Sequence, residues 1–292
     1  MQKTYTLLLS LGLLGLTACS QADDPVAAPE APAGTHSIDM CLTRAAAEDF
    51  AKAGIDKYTV YIYKVERKGT SLFAEKEMNA TAGTTSIEFP LGETYQTVAV
   101  ANAASVEGKE SLETLAVVLN PAADSQVWLS ETTRFASDKS ISSVSLALQR
   151  VVAQVNFAAA EDEATLAAQT TFDRVDATFH NVSTRYMVSR RQAEATTYTV
   201  TLNAANGYKA TFHSFDTSKL EGDVLIGLSY LKGGSEVNTS AGLLETATRL
   251  QANNRYSVTM PLTSPDFVST PWSFNATRGI LPAKISVTST KL

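Results

Sequence analysis

The sequence is poor in the residue types that build metal centres, disulfide frameworks and nucleic-acid interfaces. Its 292 residues include two cysteines and three histidines, His36, His180 and His213, and no histidine stands at metal-ligand spacing from another ligand. Lys and Arg number 24 against 30 Asp and Glu, which gives a formal charge of −6 without a basic cluster. A mildly acidic chain of this kind is poorly suited to bind a polyanion. The sequence therefore predicts no metal, no cofactor and no nucleic-acid partner.

Catalytic motifs are also missing. There is no Gly-x-Ser-x-Gly elbow, no phosphate-binding loop and no dinucleotide fingerprint. Three consecutive acids, Glu161, Asp162 and Glu163, stand at the start of a predicted helix, where the helix dipole favours negative charge. A glycosidase carboxylate pair stays open, because a separation in space is not visible in a sequence, but no pair is indicated. We therefore predict no catalytic residues and no enzymatic activity.

The first nineteen residues have the features of a bacterial lipoprotein signal peptide. Lys3 gives a positive start, Leu7–Leu16 is an apolar segment, and the small residues Thr17 and Ala18 directly precede Cys19. We expect removal of residues 1–18 and acylation of Cys19 with lipid chains that include palmitate. Each CH₂ group buried in the membrane contributes roughly 0.8 kcal/mol to the free energy of anchoring. No later segment approaches the about 18 apolar residues of a membrane span, so the lipid is the expected membrane attachment. An ordinary secretory signal followed by a chance cysteine is the alternative.

Lipidation of Cys19 would leave Cys41 without an internal disulfide partner. A catalytic cysteine needs a histidine close in space, which the sequence alone does not reveal. We expect Cys41 to be a small buried hydrophobe, the commonest role of a free cysteine.

Residues 19–35 read as a tether between the lipid and a folded body. They are rich in Ala and Pro with three acids and little to bury, so they would stay extended and reach about 50 Å at about 3.1 Å per residue. The acidic stretch Gln21–Asp24 resembles the short signal that sends lipoproteins of Bacteroidetes to the outer face of the outer membrane. A merely solvated acidic linker is the alternative for those four residues.

Beyond the tether, apolar residues alternate with polar ones, which indicates strands separated by polar turns. Short helices are predicted only at Ala45–Ala53 and Glu161–Gln169. The pattern predicts an all-β protein of two β-sandwiches, residues 36–147 and 148–292, that meet near one long strand, Ile141–Phe157. The strand candidates are Tyr58–Tyr63, Ser86–Phe89, Tyr95–Ala101, Gln126–Leu129, Ile141–Phe157, Val175–Phe179, Tyr198–Leu202, Tyr208–Phe212, Val224–Leu231 and Arg255–Met260.

Four stretches of the sequence carry recognisable strand motifs. Ser145–Val155 contains the pattern L-x-R-x-x-A-x-V, and Lys57–Lys64 alternates as Lys-Tyr-Thr-Val-Tyr-Ile-Tyr-Lys. Leu91–Asn102 ends with the pattern v-x-A-N, and Asn253–Val258 has the pattern N-x-x-Y-x-v. In these motifs and in their order the chain resembles the fimbrillins of Bacteroidia, the subunits of protease-assembled (type V) pili, in which the strand similar to Lys57–Lys64 opens the mature body.

The resemblance implies two tandem transthyretin-like β-sandwiches, export as a lipoprotein and no catalysis. It further implies cleavage by an Arg-specific maturation protease and polymerisation with other fimbrial subunits by donor-strand exchange, in fimbriae that serve adhesion. The expected location is the outer membrane before cleavage and the fimbrium after it. One alternative is a lipid-retaining pilus anchor, from whose usual pattern the Cys19–Gln21 stretch departs. The other is a surface glycan-binding lipoprotein of a nutrient-uptake system.

Arg44 lies where that family is cut, so we predict proteolytic processing between Arg44 and Ala45. The cut would remove the lipid, the tether and the strand before it. In the alternative, Arg44 belongs to the first turn of the helix Ala45–Ala53 and is protected there.

Two short alternating segments are candidates for strand exchange. The segment at residues 281–288 is predicted to be the donor strand, and Thr263–Asn275, with its polar residues and prolines, a flexible hinge before it. In the alternative, residues 281–288 are an edge strand of their own domain. The apolar positions are Ile38, Met40 and Leu42 in the strand removed on maturation, and Leu281, Ala283, Ile285 and Val287 in the donor strand.

Overall fold

The computed structural model describes residues 34–42, 47–81, 84–122, 126–243, 249–263 and 273–278. Over these residues the chain is built from nineteen strands and two short helices. Neither helix in this part of the chain is long and apolar enough to cross a membrane. The elements are β1 Thr35–Leu42, α1 Ala47–Lys52, β2 Lys57–Glu66, β3 Gly69–Asn79, β4 Thr84–Pro90, β5 Thr94–Ala101, β6 Ser105–Glu107, β7 Ala116–Val118, β8 Trp128–Ser130, β9 Thr133–Ala136, β10 Ser143–Leu146, β11 Leu148–Arg150, β12 Val152–Ala159, α2 Glu163–Ala168, β13 Arg174–Met187, β14 Gln192–Asn203, β15 Lys209–Phe215, β16 Leu225–Lys232, β17 Ser235–Leu243, β18 Asn254–Met260 and β19 Ser273–Arg278.

The first sandwich consists of a three-stranded sheet facing a six-stranded sheet. The small sheet has the order β10-β1-β4, and the large one has the order β11-β8-β5-β2-β3 with β9 paired to β5. Alternate residues of both sheets point between them, and this core includes Met40 from the small sheet and Tyr58, Tyr95 and Trp128 from the large one. Closing two half-apolar sheets face to face is the way such strands bury their apolar side.

The second sandwich repeats the plan with a four-stranded sheet, β15-β12-β18-β19, and a six-stranded one, β17-β16-β13-β7-β6 with β14 paired to β13. Phe157, Phe179 and Phe212 stand at the centre of its core, and α2 contributes Leu166. The sequence-based prediction of an all-β chain with two β-sandwiches and few short helices is confirmed.

The two sandwiches are joined by a segment that leaves one and enters the other. β6 and β7 follow β5 of the first sandwich in the chain, yet β7 pairs with β13 of the second, from Arg185↔Val118 to Met187↔Ala116. A third cluster of buried residues, the joint core, lies at this junction. Its members include Tyr63 and Val98 from the first sandwich, Leu115 and Val117 from the crossing segment, and Val188, Ala193 and Phe215 from the second.

The predicted long strand Ile141–Phe157 is wrong, because the structure divides it into β10, β11 and β12, each in a different sheet. Val144, Leu146 and Leu148 face the first core at even positions, whereas Ala153, Val155 and Phe157 face the second core at odd positions. Side chains alternate strictly along a regular strand, so one regular strand cannot supply its even positions to one core and its odd positions to another.

Other boundaries differ in smaller ways. The helices are confirmed but shorter than predicted, at Ala47–Lys52 and Glu163–Ala168. The polar residues of Lys232–Ser240 predict a turn, but only Gly233 and Gly234 form a tight turn and most of the segment belongs to β17. The end of the predicted hinge Thr263–Asn275 lies in β19, which pairs with β18.

Candidate functional site

Strand β1 occupies the centre of the small sheet of the first sandwich. It runs antiparallel to β4 from Thr35↔Pro90 to Cys41↔Thr84 and parallel to β10 from Asp39↔Ser143 to Leu42↔Leu146. Since both of its edges are hydrogen-bonded, β1 holds together two strands that do not otherwise pair. We call the space between β4 and β10 that β1 fills the β1 groove.

The inward face of β1 is almost entirely apolar. Ile38 and Met40 are 0% exposed and Leu42 is 4% exposed, in a core that also contains Ile87 and Phe89 of the neighbouring strand β4. Burying one such aliphatic side chain stabilises a fold by about 1.5–3 kcal/mol. The three residues predicted to form the removable strand therefore contribute strongly to closing the first core.

The outward face and the edges of β1 are polar and tie it to the loops around it. The Asp39 carboxylate accepts a hydrogen bond from the Ser86 hydroxyl on β4, and the Asp39 backbone N–H donates to the Ser142 carbonyl at 2.9 Å. His36 Nε2 lies 2.8 Å from the Ile141 carbonyl oxygen. These contacts fix the register of β1 without burying a charge.

Cys41 lies on the same outward face and is half-buried rather than fully buried. Burial raises the pKa of its thiol, and the nearby Asp39 carboxylate raises that pKa further. A protonated thiol is a weak nucleophile, so these surroundings do not activate Cys41.

The end of the β1 groove where β1 begins is lined by aromatic rings. Phe89, which pairs with His36, has its ring centroid 4.8 Å from that of Tyr95 and 5.4 Å from that of Phe135. Phe73 stacks on Phe89 at 5.4 Å and remains 36% exposed. A strand that fills the groove therefore meets a cluster of aromatic rings at the end where β1 begins.

A second arrangement of interest lies where the chain leaves β18, ahead of residues 264–272. The Glu161 carboxylate accepts hydrogen bonds from the backbone N–H of Leu262 at 2.9 Å, the N–H of Thr263 at 2.7 Å and the Thr263 hydroxyl at 2.6 Å. Burial alone would raise the pKa of Glu161, but these bonds stabilise its charged form and the net pKa is lowered. Glu161 thus fixes the exit point of the C-terminal segment.

The predicted helix start is confirmed for the other two acids of that cluster. Asp162 caps α2 by accepting the Thr165 N–H at 2.8 Å, and Glu163 lies in the first turn. Glu161 differs from both, and its role was not visible in the sequence, because its partners are about a hundred residues away along the chain.

The structure brings together only some of the residues selected from the sequence. Ile38, Met40 and Leu42 share one face, as expected, whereas Cys19, the Arg44–Ala45 bond and the residues Leu281, Ala283, Ile285 and Val287 lie outside the described residues. His213 is buried in β15, and His180 is exposed on β13. The described residues contain no group of His, Cys, Asp or Glu side chains that could hold a metal ion.

Comparison with solved structures finds the same architecture in proteins of Bacteroides. A candidate adhesin from Bacteroides ovatus is 14% identical with a TM-score of 0.53, over 80% of this chain and 89% of that one. A second candidate adhesin, from Bacteroides thetaiotaomicron, is 11% identical with a TM-score of 0.51, over 85% of this chain and 99% of that one. A candidate polysaccharide-binding protein from the same species is 12% identical with a TM-score of 0.51, over 78% and 92% of the two chains.

No protein-family model and no curated protein matches the chain. At identities this low the matches establish a common fold over most of the chain. The resemblance to surface fimbrial proteins of Bacteroidia is thereby confirmed at the level of the fold.

Proposed function

We propose that this protein is a structural subunit of a cell-surface fimbria and has no enzymatic activity. In this proposal the chain is exported as a lipoprotein acylated on Cys19 and held at the outer membrane. A protease then cuts between Arg44 and Ala45, β1 is lost, and the segment 281–288 of another subunit enters the β1 groove. The folded body comprises two domains, residues 36–147 and 148–292, and the fibre serves adhesion.

The position of β1 is the observation that carries the proposal. β1 ends at Leu42, two residues before Arg44, and is the central strand of its sheet. Strands in a sheet lie about 4.8 Å apart, so removal of β1 would leave β4 and β10 about 10 Å apart with an empty row between them. Unpaired backbone groups on both sides and an uncovered apolar core below are the conditions under which a new strand is accepted.

The fold comparisons support the adhesive role. Two of the solved structures with the same fold are candidate adhesins. The described residues give less support to a glycan-binding function, because sugar recognition commonly uses exposed aromatic rings. Phe73 is the one aromatic side chain among the large exposed hydrophobic residues of the described chain, and Trp128 is fully buried.

The test is to block the cut and observe assembly. The variant Arg44→Ala should remain uncut and form no fibres, whereas wild type exposed to an Arg-specific protease should give fibres visible by electron microscopy. Lys52→Ala, which changes a basic residue at the end of α1, is the matched control and should assemble like wild type. Fibres formed by uncut Arg44→Ala would contradict maturation at this site, and a subunit that keeps its lipid in the native fimbria would indicate an anchor.

A further inference from the structure

A polar cleft lies on the outer face of the large sheet of the first sandwich, the face that points away from β1. Its volume is about 470 Å³ and it is open to solvent. This volume is within the range of about 300–1,000 Å³ that is usual for sites of small ligands. Strands β2, β3 and β5 form its floor, and the crossing segment that leads through β6 towards the second sandwich forms one wall. We call this space the outer cleft.

The floor of the outer cleft presents polar side chains from two neighbouring strands. Lys57, Thr59 and Tyr61 are alternate residues of β2, and the residues between them belong to the first core, so these three side chains point outwards. On β3, Glu77 stands opposite Thr59 and Glu75 stands opposite Tyr61. The pairing of β2 with β3 therefore fixes the relative positions of these polar groups.

Two ion pairs hold the charged side chains of the outer cleft in place. The Lys57 ammonium donates to the Glu77 carboxylate at 2.7 Å, and the Lys109 ammonium, from the crossing segment, donates to Glu75 at 2.8 Å. Exposed pairs of this kind stabilise a fold little, but side chains that are already ordered lower the entropy cost of binding a ligand. An ammonium group has three N–H donors and a carboxylate accepts several bonds, so each pair keeps donors and acceptors for a ligand.

The charges of the lining indicate which chemical class of ligand fits. Three carboxylates stand against two ammonium groups, which gives a net charge of −1: Asp56, Glu75 and Glu77 against Lys57 and Lys109. This charge disfavours an anion, and a cation would find Glu75 and Glu77 already paired. An apolar ligand would remove water from charged groups without replacing their hydrogen bonds. A neutral polyhydroxy compound carries donors and acceptors side by side, and it therefore matches this lining best.

Among the described residues, the outer cleft has no exposed aromatic ring on which a sugar could stack. Tyr61 is 2% exposed, and the Lys109 ammonium lies over its ring, 5.5 Å from the centroid. Hydrogen bonds alone would hold a sugar here, so one outer cleft binds weakly. Many copies of the site along one fibre raise the apparent affinity for a surface that displays the sugar repeatedly.

We propose that the outer cleft binds a neutral saccharide through hydrogen bonds to Lys57, Thr59, Glu75 and Glu77. The saccharide belongs to the surface to which the fibre attaches. The inference rests on the proposed function, since it names what the adhesive fibre binds. It gives the outer face of the first sandwich a role that is separate from strand exchange in the β1 groove.

The test measures saccharide binding by the uncut chain, which requires no fibre. The chain is attached in many copies to fluorescent beads and applied to immobilised galactose, mannose, fucose and N-acetylglucosamine, and to sulfated and sialylated sugars. At least one of the four neutral sugars should retain the beads, whereas the sulfated and sialylated sugars should not. Lys57→Ala and Thr59→Val should each raise the dissociation constant for that neutral sugar, measured by NMR titration, about five- to tenfold, as expected for one hydrogen bond.

Lys76→Ala is the matched control. Lys76 lies between Glu75 and Glu77 on β3 and is exposed, but alternation turns its side chain to the opposite face of the sheet, away from the outer cleft. Lys76→Ala should therefore bind the neutral sugar like wild type. Lys57→Ala and Lys76→Ala should both keep the melting temperature of wild type, because exposed charges contribute little to stability.

Three results would overturn the inference. Retention only on sulfated or sialylated sugars would contradict a site that disfavours anions. Unchanged affinity of both Lys57→Ala and Thr59→Val would show that the sugar binds elsewhere on the chain. Absence of binding to all four neutral sugars, by a chain that forms fibres once it is cut, would exclude the saccharide and leave the proposed function intact. Binding of a neutral sugar by a chain that never forms fibres would instead support the outer cleft and overturn the fimbrial function.

Discussion

At the scale of single residues, the structural role of a side chain depends on partners that are distant along the chain. Local sequence patterns do not reveal these partners. In the sequence Glu161 is one of three acids before a helix, whereas in the structure its carboxylate accepts hydrogen bonds from the backbone N–H groups of Leu262 and Thr263. Tyr58 and Tyr95 were strand residues like others, and only the structure shows that their hydroxyls are buried opposite an apolar strand. Such roles depend on which strands become neighbours in space, and that information is not local in the sequence.

Glu161→Gln should destabilise the protein by about 1 kcal/mol at pH 7, because a neutral amide is a weaker acceptor than a carboxylate. The pKa of Glu161 is lowered in the folded state, so its contribution is present above the ordinary glutamate pKa and is lost as the pH falls through the lowered value. The difference in urea midpoint between wild type and variant should therefore shrink towards pH 3. Glu163→Gln, exposed in the first turn of α2, should show a much smaller effect at pH 7.

At the scale of secondary-structure elements, the sequence predicts strands that have one apolar face. It does not predict where a continuous apolar stretch divides between sheets, or strands whose side chains are all exposed. β1 follows a strict alternation, and the structure places Ile38, Met40 and Leu42 inward as the pattern predicts. The stretch Ile141–Phe157 has a continuous strand-like composition but forms strands of three different sheets. Its composition therefore does not show where one strand ends and the next begins. In β17 the described side chains of residues 235–239 are all exposed, which removed the alternation on which strand prediction relies.

The segment that crosses between the sandwiches depends on one glycine, Gly108. Its φ is +58°, and a Cβ at this position would lie 2.2 Å from the Thr114 carbonyl oxygen. Gly108→Ala should therefore destabilise the protein by on the order of 2 kcal/mol or more, since backbone strain is added to a direct clash. The loss is measured by guanidinium denaturation.

Gly207→Ala provides the comparison for that measurement. Gly207 has nearly the same φ, +60°, but a Cβ there would meet no atom within 4 Å. Gly207→Ala should therefore lower the free energy of unfolding by only about 1 kcal/mol, the strain of the left-handed conformation. Equal losses for the two variants would show that the contact between Gly108 and Thr114 is not tight in solution.

At the scale of the whole molecule, we expect the joint core to couple the unfolding of the two sandwiches. β7 belongs to the first half of the chain and to the second sandwich, and Phe215 of the second sandwich is buried together with Tyr63 of the first. The ion pair Arg191–Glu131, at 3.2 Å, also crosses the junction, but exposed pairs of this kind contribute little. The apolar contacts therefore carry the coupling.

We expect a single transition in calorimetry of the full chain, with equal calorimetric and van't Hoff enthalpies. Residues 148–292 expressed alone should melt at a lower temperature than the full chain, because they lack β6, β7 and half of the joint core. A chain of residues 36–292 keeps β6, β7 and the whole joint core. It serves as the control for the absence of residues 1–35. Two separate transitions in the full chain would contradict this view of the junction.

The parallel pairing of β1 with β10 and of β12 with β18 has a mechanical consequence in the proposed fibre. If the strand that fills the β1 groove in the fibre runs in the direction of β1, tension would pull that strand towards its N-terminal end and pull β10 through the chain that follows it. The same tension would pull β12 through its N-terminal end and β18 through its C-terminal end. In both pairs two parallel strands are drawn in opposite directions, so all their hydrogen bonds bear the load together in shear. A hairpin pulled at its open end would instead unzip one bond at a time, and a fibre linked through parallel pairs should therefore resist the drag on an attached cell.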